Sequence, residues 1–206
     1  MRNTSLKQQK VTLIDGITGS GKTELYLEAA TRILKEGKQV LIMLPEITLT
    51  QEFLKIFSSR FKNQVGEWHS GLTDARRRQL WFDILNKKIR LVVGARSSLF
   101  LPFIDLGLIV VDEEHDPSYK QEEGMIYNAR DMAILRAKQL KIACILSSAT
   151  PSVETFENIV SKKYSRAALN KRFYGTKLPT ISCIDMREAK KETNSFLPVE
   201  LIEDLK

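Results

Sequence analysis

The chain has 206 residues, of which 43% are hydrophobic and 28% are charged, and this composition is ordinary for a soluble protein of one domain with an appendage. No apolar run approaches the length of a membrane-spanning helix, and residues 1–7 lack the apolar core of a signal peptide, so we expect a cytoplasmic protein without a membrane partner. Lysine and arginine outnumber aspartate and glutamate by 32 to 25, and the net charge of +7 suits a polyanionic partner without requiring one.

The first element along the chain is an apolar strand at 11–14 that enters a glycine loop. The loop, GITGSGKT at 16–23, fits the phosphate-binding pattern G-x-x-x-x-G-K-[ST]. Apolar residues from Tyr26 to Leu34 then recur at helical spacing. A helix that starts at such a loop directs its free N–H groups and the positive end of its dipole to one point, which favours a phosphate there. The simpler alternative is a glycine turn before a capped helix that binds no phosphate. The predicted polyphosphate-binding residues are Gly16, Thr18, Gly19, Ser20, Gly21, Lys22 and Thr23.

Strands and helices alternate between residues 39 and 159. The apolar patterns predict strands at 39–44, 65–68, 89–93, 108–111 and 142–146, and helices at 49–61, 74–85, 131–141 and 153–159. Ser152 is the expected N-cap of the last helix, because acidic residues occupy the first turns that follow it. This alternation predicts an α/β fold with a mostly parallel sheet that carries helices on both faces.

Past Ser165 the periodicity weakens. One strand is predicted within 178–185, and a helix begins at 199–205. We therefore expect a nucleotide-binding lobe at 1–165 and a C-terminal extension at 166–206, with the sequence ending at a domain junction.

An acidic turn follows the strand at 108–111. A nucleoside triphosphatase needs a carboxylate for Mg²⁺ and a group that orients the attacking water. Asp112 and Glu113 stand at the carboxyl end of this strand, the edge at which ligands collect in open parallel sheets. We assign Asp112, with the Thr23 hydroxyl, to Mg²⁺, Glu113 to the water, and Lys22 to the terminal phosphates. The predicted catalytic residues are thus Lys22, Asp112 and Glu113, and an acidic turn without a function is the alternative.

Small hydroxyl residues follow the strand at 142–146. Ser148 and Thr150 are placed to hydrogen-bond His115 and to pass the state of the nucleotide to another surface. Taken alone, these hydroxyl residues are explained more simply by helix capping.

The phosphate loop, the DEEH sequence and the SAT sequence resemble, in this order, motifs I, II and III of superfamily 2 helicases. LPEITLT at 44–50 resembles motif Ia, WHSGL at 68–72 a segment typical of the group, and GARSSLFLPF at 94–103 motif Ib. DEEHDPSYKQEEGMIYNAR at 112–130 resembles the bacterial replication-restart DNA helicases, and the likeness covers about 11–186. It implies a RecA-like P-loop domain that binds ATP and Mg²⁺ and drives 3′-to-5′ movement on forked or single-stranded DNA.

The resemblance also assigns residues outside the nucleotide site. Residues 116–130 match the family's aromatic-rich loop, which links DNA binding to hydrolysis. We expect Tyr119 and Tyr127 to stack on unpaired bases and Lys120 and Arg130 to meet phosphates, with a loop packed on its own domain as the alternative. The expected DNA-binding or coupling residues are Arg96, Ser97, His115, Tyr119, Lys120, Tyr127, Arg130, Ser148 and Thr150. Single-stranded DNA-binding protein and other primosome proteins are the implied protein partners.

Several parts of such helicases do not occur in this sequence. Motifs IV to VI of the second lobe, whose arginines complete the site, are absent, and so are the zinc-binding cysteines of the family. Cys144 and Cys183 lie far apart, and Cys144 sits in an apolar run that predicts a core residue. Zinc is therefore expected in full-length relatives and not in this chain, which we expect to be a first lobe with little ATPase activity. Another superfamily 2 translocase, or a non-catalytic fragment that binds DNA or protein, remains an alternative.

Overall fold

The computed structural model describes residues 11–49, 51–61, 65–172, 183–185, 187, 198 and 201–202. The chain divides into two compact units, Met1–Gly175 and Thr176–Lys206. In the second unit, residues 183–185 have no regular structure, and Leu201 and Ile202 are helical. The strand predicted within 178–185 and the helix predicted at 199–205 otherwise lie outside the described residues.

The first unit alternates strands and helices along the chain. Its described strands are β1 (Val11–Gly16), β2 (Gln39–Met43), β3 (Val65–Trp68), β4 (Leu91–Gly94), β5 (Leu106–Asp112), β6 (Lys120–Gln121), β7 (Tyr127–Asn128), β8 (Ala143–Ser148) and β9 (Ser165–Leu169). Its described helices are α1 (Lys22–Lys35), α2 (Gln51–Phe61), α3 (Asp74–Leu85), α4 (Ala129–Leu140) and α5 (Val153–Val160). Short 3₁₀ turns span Glu46–Thr48, Arg96–Phe100 and Pro117–Tyr119.

Seven of these strands form one parallel sheet in the spatial order β3-β4-β2-β5-β8-β1-β9. Strands β6 and β7 form a separate antiparallel pair within the loop between β5 and α4. The predicted α/β fold with a mostly parallel sheet is confirmed. None of the helices in the described part of the chain has the length and apolar character that crossing a bilayer requires.

Two hydrophobic clusters cover the sheet. Along β5, Ile109 and Val111 belong to one cluster, while Leu108 and Val110 belong to the other. The first cluster includes side chains of α3 and α4, and the second includes side chains of α1 and α2. Successive residues of a strand point to opposite faces, so helices on both sides require the continuous apolar runs that the sequence contains. Cys144 is one of these core residues, and burial raises the pKa of its thiol to about 12.

The elements differ from the sequence-based expectations where side chains give little apolar signal. β9 pairs with β1 from Thr12 to Gly16, but its sequence, SRAAL, is mostly exposed and lacks an apolar run. It continues the sheet just beyond residue 165, where the periodicity weakens. Helix α4 begins at Ala129, before the predicted start, because the Asn128 side chain accepts a hydrogen bond from the Arg130 N–H and caps it. The predicted Ser152 cap of α5 is confirmed, since its side chain accepts from the Thr155 N–H.

Candidate functional site

The loop between β1 and α1 is shaped by glycines. A Cβ atom on Gly16 would lie 2.5 Å from the Ser20 Oγ atom and 2.9 Å from the Leu169 Cβ atom, so a larger residue does not fit. Gly19 and Gly21 have φ angles of 78° and 89°, in the left-handed region that favours glycine. The chain therefore makes a tight turn into the N-terminus of α1, where free N–H groups and the helix dipole favour an anion.

Lys22 and Ser20 place polar atoms inside this turn. The Lys22 ammonium donates to the Gly16 carbonyl oxygen at 2.8 Å and is buried. The buried Ser20 hydroxyl has no hydrogen-bond partner in the described part of the chain. An ammonium with further donors and an unsatisfied hydroxyl fit the oxygens of a polyphosphate. The turn opens into a cleft of about 590 Å³ lined by Thr18, Gly19, Ser20, Gly21, Lys22, Thr23, Glu24, Asp112 and Glu113.

Asp112, at the end of β5, accepts hydrogen bonds at both carboxylate oxygens. The Tyr26 hydroxyl of α1 donates to Oδ2 at 2.9 Å, and the Glu113 N–H donates to Oδ1 at 3.1 Å. Thr23 lines the same cleft as Asp112. Burial, followed by the charge of Asp112, raises the pKa of Tyr26 well above its ordinary value, so the tyrosine keeps its proton. The Thr23 hydroxyl and the Asp112 carboxylate are oxygen ligands of the kind that suits Mg²⁺.

Glu113 has two features that set it apart from an ordinary surface glutamate. Its φ angle is 46°, a left-handed conformation that is costly for a residue with a side chain. Burial, followed by the charge of Asp112, raises the pKa of Glu113, although Lys22 and His115 act in the opposite direction. A carboxylate with a raised pKa is a stronger base, and Glu113 lines the cleft in which the reacting water would lie.

The predicted contact between His115 and Ser148 is present. The His115 Nδ1 atom lies 2.8 Å from the Ser148 Oγ atom and 3.6 Å from Glu113 Oε2. The Ser148 hydroxyl oxygen also accepts from the Thr150 N–H at 3.0 Å. These bonds connect the turn after β5 with the turn after β8. A coupling role for the three residues stays a prediction.

Arg130 is inside the protein, which corrects the expectation that it meets DNA phosphates. Its side chain is 9% exposed, and Nη1 donates to Glu114 Oε2 at 3.1 Å and to the Ser152 hydroxyl at 2.7 Å. Glu114, whose side chain is fully buried, also accepts from the Ser152 N–H and from the Thr155 hydroxyl. We name Glu114, Arg130, Ser152 and Thr155 the Glu114 network. The sequence did not single out Glu114, because nothing local distinguishes it from the acids before it.

Tyr119 is also buried, which corrects the expectation that it stacks on a base. The residue is 1% exposed, and its hydroxyl shares one proton between the carbonyl oxygens of Asp112, at 2.7 Å, and Met43, at 3.0 Å. This hydroxyl ties the 3₁₀ turn at Pro117–Tyr119 to the ends of β5 and β2. Of the two roles expected for Tyr119, DNA binding and coupling, only coupling is left, and it stays a prediction.

The remaining expected DNA-binding residues lie in or beside the contacts between the 3₁₀ turn at Arg96–Phe100 and the aromatic-rich loop. Arg96 donates to the carbonyl oxygens of Ser118, at 3.2 Å, and Lys120, at 2.7 Å. The Ser97 hydroxyl accepts from the Trp68 indole N–H at 3.0 Å. Lys120 is exposed beside Glu122, and the Tyr127 ring contacts Phe100 edge to face at 5.4 Å between centroids. The segment that resembles motif Ib is therefore bonded directly to the aromatic-rich loop.

The geometry thus separates two groups of candidate residues. One cleft is lined by Lys22, Thr23, Asp112 and Glu113. The other group, Arg96, Ser97, Lys120 and Tyr127, is not part of its lining. Tyr26 was not predicted as a site residue, because in the sequence it has the spacing of an ordinary apolar-face residue of α1. Tyr26 and Asp112 lie far apart along the chain, so no local pattern indicates their hydrogen bond.

Comparison with known proteins adds to this geometry. A family model described as DEAD/DEAH box helicase matches residues 3–159. The chain is 48% identical over 200 residues to the replication restart protein PriA of Rickettsia conorii, which covers 97% of this chain and 31% of the relative. It is 43% identical over 199 residues to PriA of Bacillus subtilis, with coverages of 96% and 25%. The chain therefore spans less than a third of the length of these curated relatives, and the resemblance found in the sequence is confirmed.

A solved structure bears on the fold alone. RecG bound to a three-way DNA junction superimposes with a TM-score of 0.57 at 21% identity, over 79% of this chain and 21% of that one. Together with the parallel sheet and the helicase family match, this likeness confirms the RecA-like class of the α/β fold.

Proposed function

This chain belongs to the DEAD/DEAH box helicase family, and from that premise we propose that it is the ATP-binding lobe of a DNA helicase that acts in replication restart. The observation that carries the proposal is the cleft shared by the phosphate loop, Asp112 and Glu113. The identity with PriA proteins of two organisms supports the replication-restart setting, and with it a cytoplasmic location. Movement in the 3′-to-5′ direction on forked or single-stranded DNA, and assembly with single-stranded DNA-binding protein and primosome proteins, belong to the same proposal.

The chain's own residues bind and orient the nucleotide. The N–H groups of the loop and the Lys22 ammonium hold the phosphate oxygens, with the ammonium exchanging its bond to Gly16 for one to phosphate. Thr23 and Asp112 would hold Mg²⁺. When bound, the metal supplies positive charge that neutralises the terminal phosphates.

Glu113 orients the attacking water and takes its proton. Its raised pKa supports this role, because a base is most effective when its pKa lies close to the working pH. The hydrogen bond between His115 and Ser148 supports a route by which the turn after β8 responds to a change at Glu113. The hydrogen bond between the Tyr119 hydroxyl and the Asp112 carbonyl oxygen supports a second route. It leads from Asp112 to the aromatic-rich loop, in which the Lys120 carbonyl oxygen accepts from Arg96.

The variant Lys22→Ala tests the proposal. We expect its dissociation constant for a fluorescent ATP analogue to rise about 10- to 100-fold, because one or two charge-assisted hydrogen bonds to phosphate are lost. The matched control is Lys35→Ala, which removes an exposed lysine from the last turn of the same helix and should leave affinity unchanged. Urea denaturation of both variants verifies that the domain remains folded. Unchanged affinity in folded Lys22→Ala would contradict the assignment of the cleft.

A further inference from the structure

We propose that Tyr26 is a positioning residue for Mg²⁺ and that its hydroxyl orients the carboxylate of Asp112. The inference rests on the proposed function, because it concerns how the same cleft selects and holds its cation. It adds a residue that lies outside the phosphate-loop pattern.

The burial of Tyr26 is the first observation. The residue is fully buried in the cluster between α1 and the sheet. Burying a hydroxyl carries a free-energy cost unless it is hydrogen-bonded, so the group needs a partner here. That partner is the carboxylate of Asp112, at 2.9 Å.

The direction of this bond is fixed by its partners. A carboxylate oxygen accepts from a hydroxyl, so the Tyr26 proton points to Oδ2. Oδ2 keeps its other lone pair for a cation.

Two hydrogen bonds restrict the carboxylate of Asp112. Tyr26 holds Oδ2, and the Glu113 N–H holds Oδ1, so rotation of the Asp112 side chain breaks at least one hydrogen bond. Groups that orient metal ligands in this way commonly change metal affinity about 10- to 100-fold when they are removed. Tyr26 acts through Asp112 and is not among the residues that line the cleft, so we expect its effect on the metal and not on the nucleotide.

The test compares nucleotide binding by the full 206-residue chain and by Tyr26→Phe, in EDTA and across a Mg²⁺ titration. In EDTA we expect the same affinity for a fluorescent ATP analogue in both proteins. We define the Mg²⁺ midpoint as the Mg²⁺ concentration that gives half of the Mg²⁺-dependent gain in affinity for the analogue. In the titration, we expect this midpoint to rise about tenfold in Tyr26→Phe. The control is Tyr164→Phe, which removes the hydroxyl of a partly buried tyrosine next to α4 and should leave both quantities unchanged.

A double-mutant cycle with Asp112→Asn gives a second measurement. Because Tyr26 acts largely through this carboxylate, the effect of Tyr26→Phe on the Mg²⁺ midpoint should shrink markedly in the Asp112→Asn background. Thermal unfolding in EDTA verifies that each variant is folded.

The outcomes separate the inference from the proposed function. A wild-type chain that binds no nucleotide, with or without Mg²⁺, overturns both. If the wild type binds and responds to Mg²⁺ and Tyr26→Phe has the same midpoint, only the inference is overturned. Equal losses in EDTA and in Mg²⁺, or additive effects in the cycle, also overturn it, because they indicate a packing role.

Discussion

At the scale of single residues, Glu113 has the most specific predicted chemistry. It follows Asp112, adopts a left-handed backbone conformation and has a raised pKa. Glu113→Gln keeps the size and the polarity of the side chain and removes the base. We expect ATP hydrolysis to slow about 10²- to 10⁴-fold with nucleotide affinity retained, as measured by phosphate release and by titration with a fluorescent analogue.

The pH dependence of the rate provides the control for Glu113→Gln. A base whose pKa is raised becomes protonated sooner as the pH falls, so activity should be present above that pKa and lost below it. The acidic limb of the wild-type rate profile should therefore lie above the ordinary glutamate pKa of about 4.3. This limb should be missing from the residual activity of Glu113→Gln. Hydrolysis in the variant at the wild-type rate would refute the assignment of the base.

At the scale of elements, the Glu114 network joins three parts of the fold. Its side chains come from the turn after β5, the first turn of α4 and the N-terminus of α5. A buried ion pair does not by itself make a protein more stable than an apolar core would. Removing one partner does have a large effect, because the other charge is left buried without compensation.

Arg130→Ala should therefore lower the free energy of unfolding by about 3–5 kcal/mol. Urea denaturation followed by circular dichroism measures this change. The matched control is Arg166→Ala, since Arg166 pairs with Asp15 but its side chain is 45% exposed. That variant should lose about 0–1 kcal/mol. Equal losses in the two variants would argue against the Glu114 network as a structural junction.

Local patterns made most elements predictable from the sequence. The strand at 65–68 and the helix at 74–85 have the predicted bounds, and the phosphate loop is a contiguous motif. β9 was missed because edge strands need no continuous apolar run. Tyr26 and Glu114 were missed for another reason. Tyr26 meets a partner 86 positions away and Glu114 one 41 positions away, and a single sequence contains no record of such contacts.

At the scale of the whole molecule, the cleft supplies one wall of the proposed active site. The residues that line its described part include no arginine. In helicases of the kind that this chain resembles, an arginine from a second lobe stabilises the transferring phosphate, and such arginines contribute about 10³- to 10⁵-fold to the rate. We expect the 206-residue chain to hydrolyse ATP correspondingly slowly, with or without single-stranded DNA.

Phosphate release by the purified chain measures this, with Lys22→Ala as the blank for contaminating ATPases. Rapid hydrolysis that DNA stimulates and that Lys22→Ala abolishes would show that the chain needs no further arginine. Slow hydrolysis with normal ATP binding agrees with the proposed lobe.

The order of strands in the sheet also has a consequence for synthesis of the protein on the ribosome. The described neighbours of β1 are β8 and β9, so β1 cannot join the sheet until Ala143–Ser148 has left the exit tunnel. At about 5–20 residues per second, the roughly 130 residues between these strands take about 7–26 s to make. During that interval both edges of β1 lack the strands with which they pair, so the phosphate loop cannot reach its final position until most of the first unit has been made.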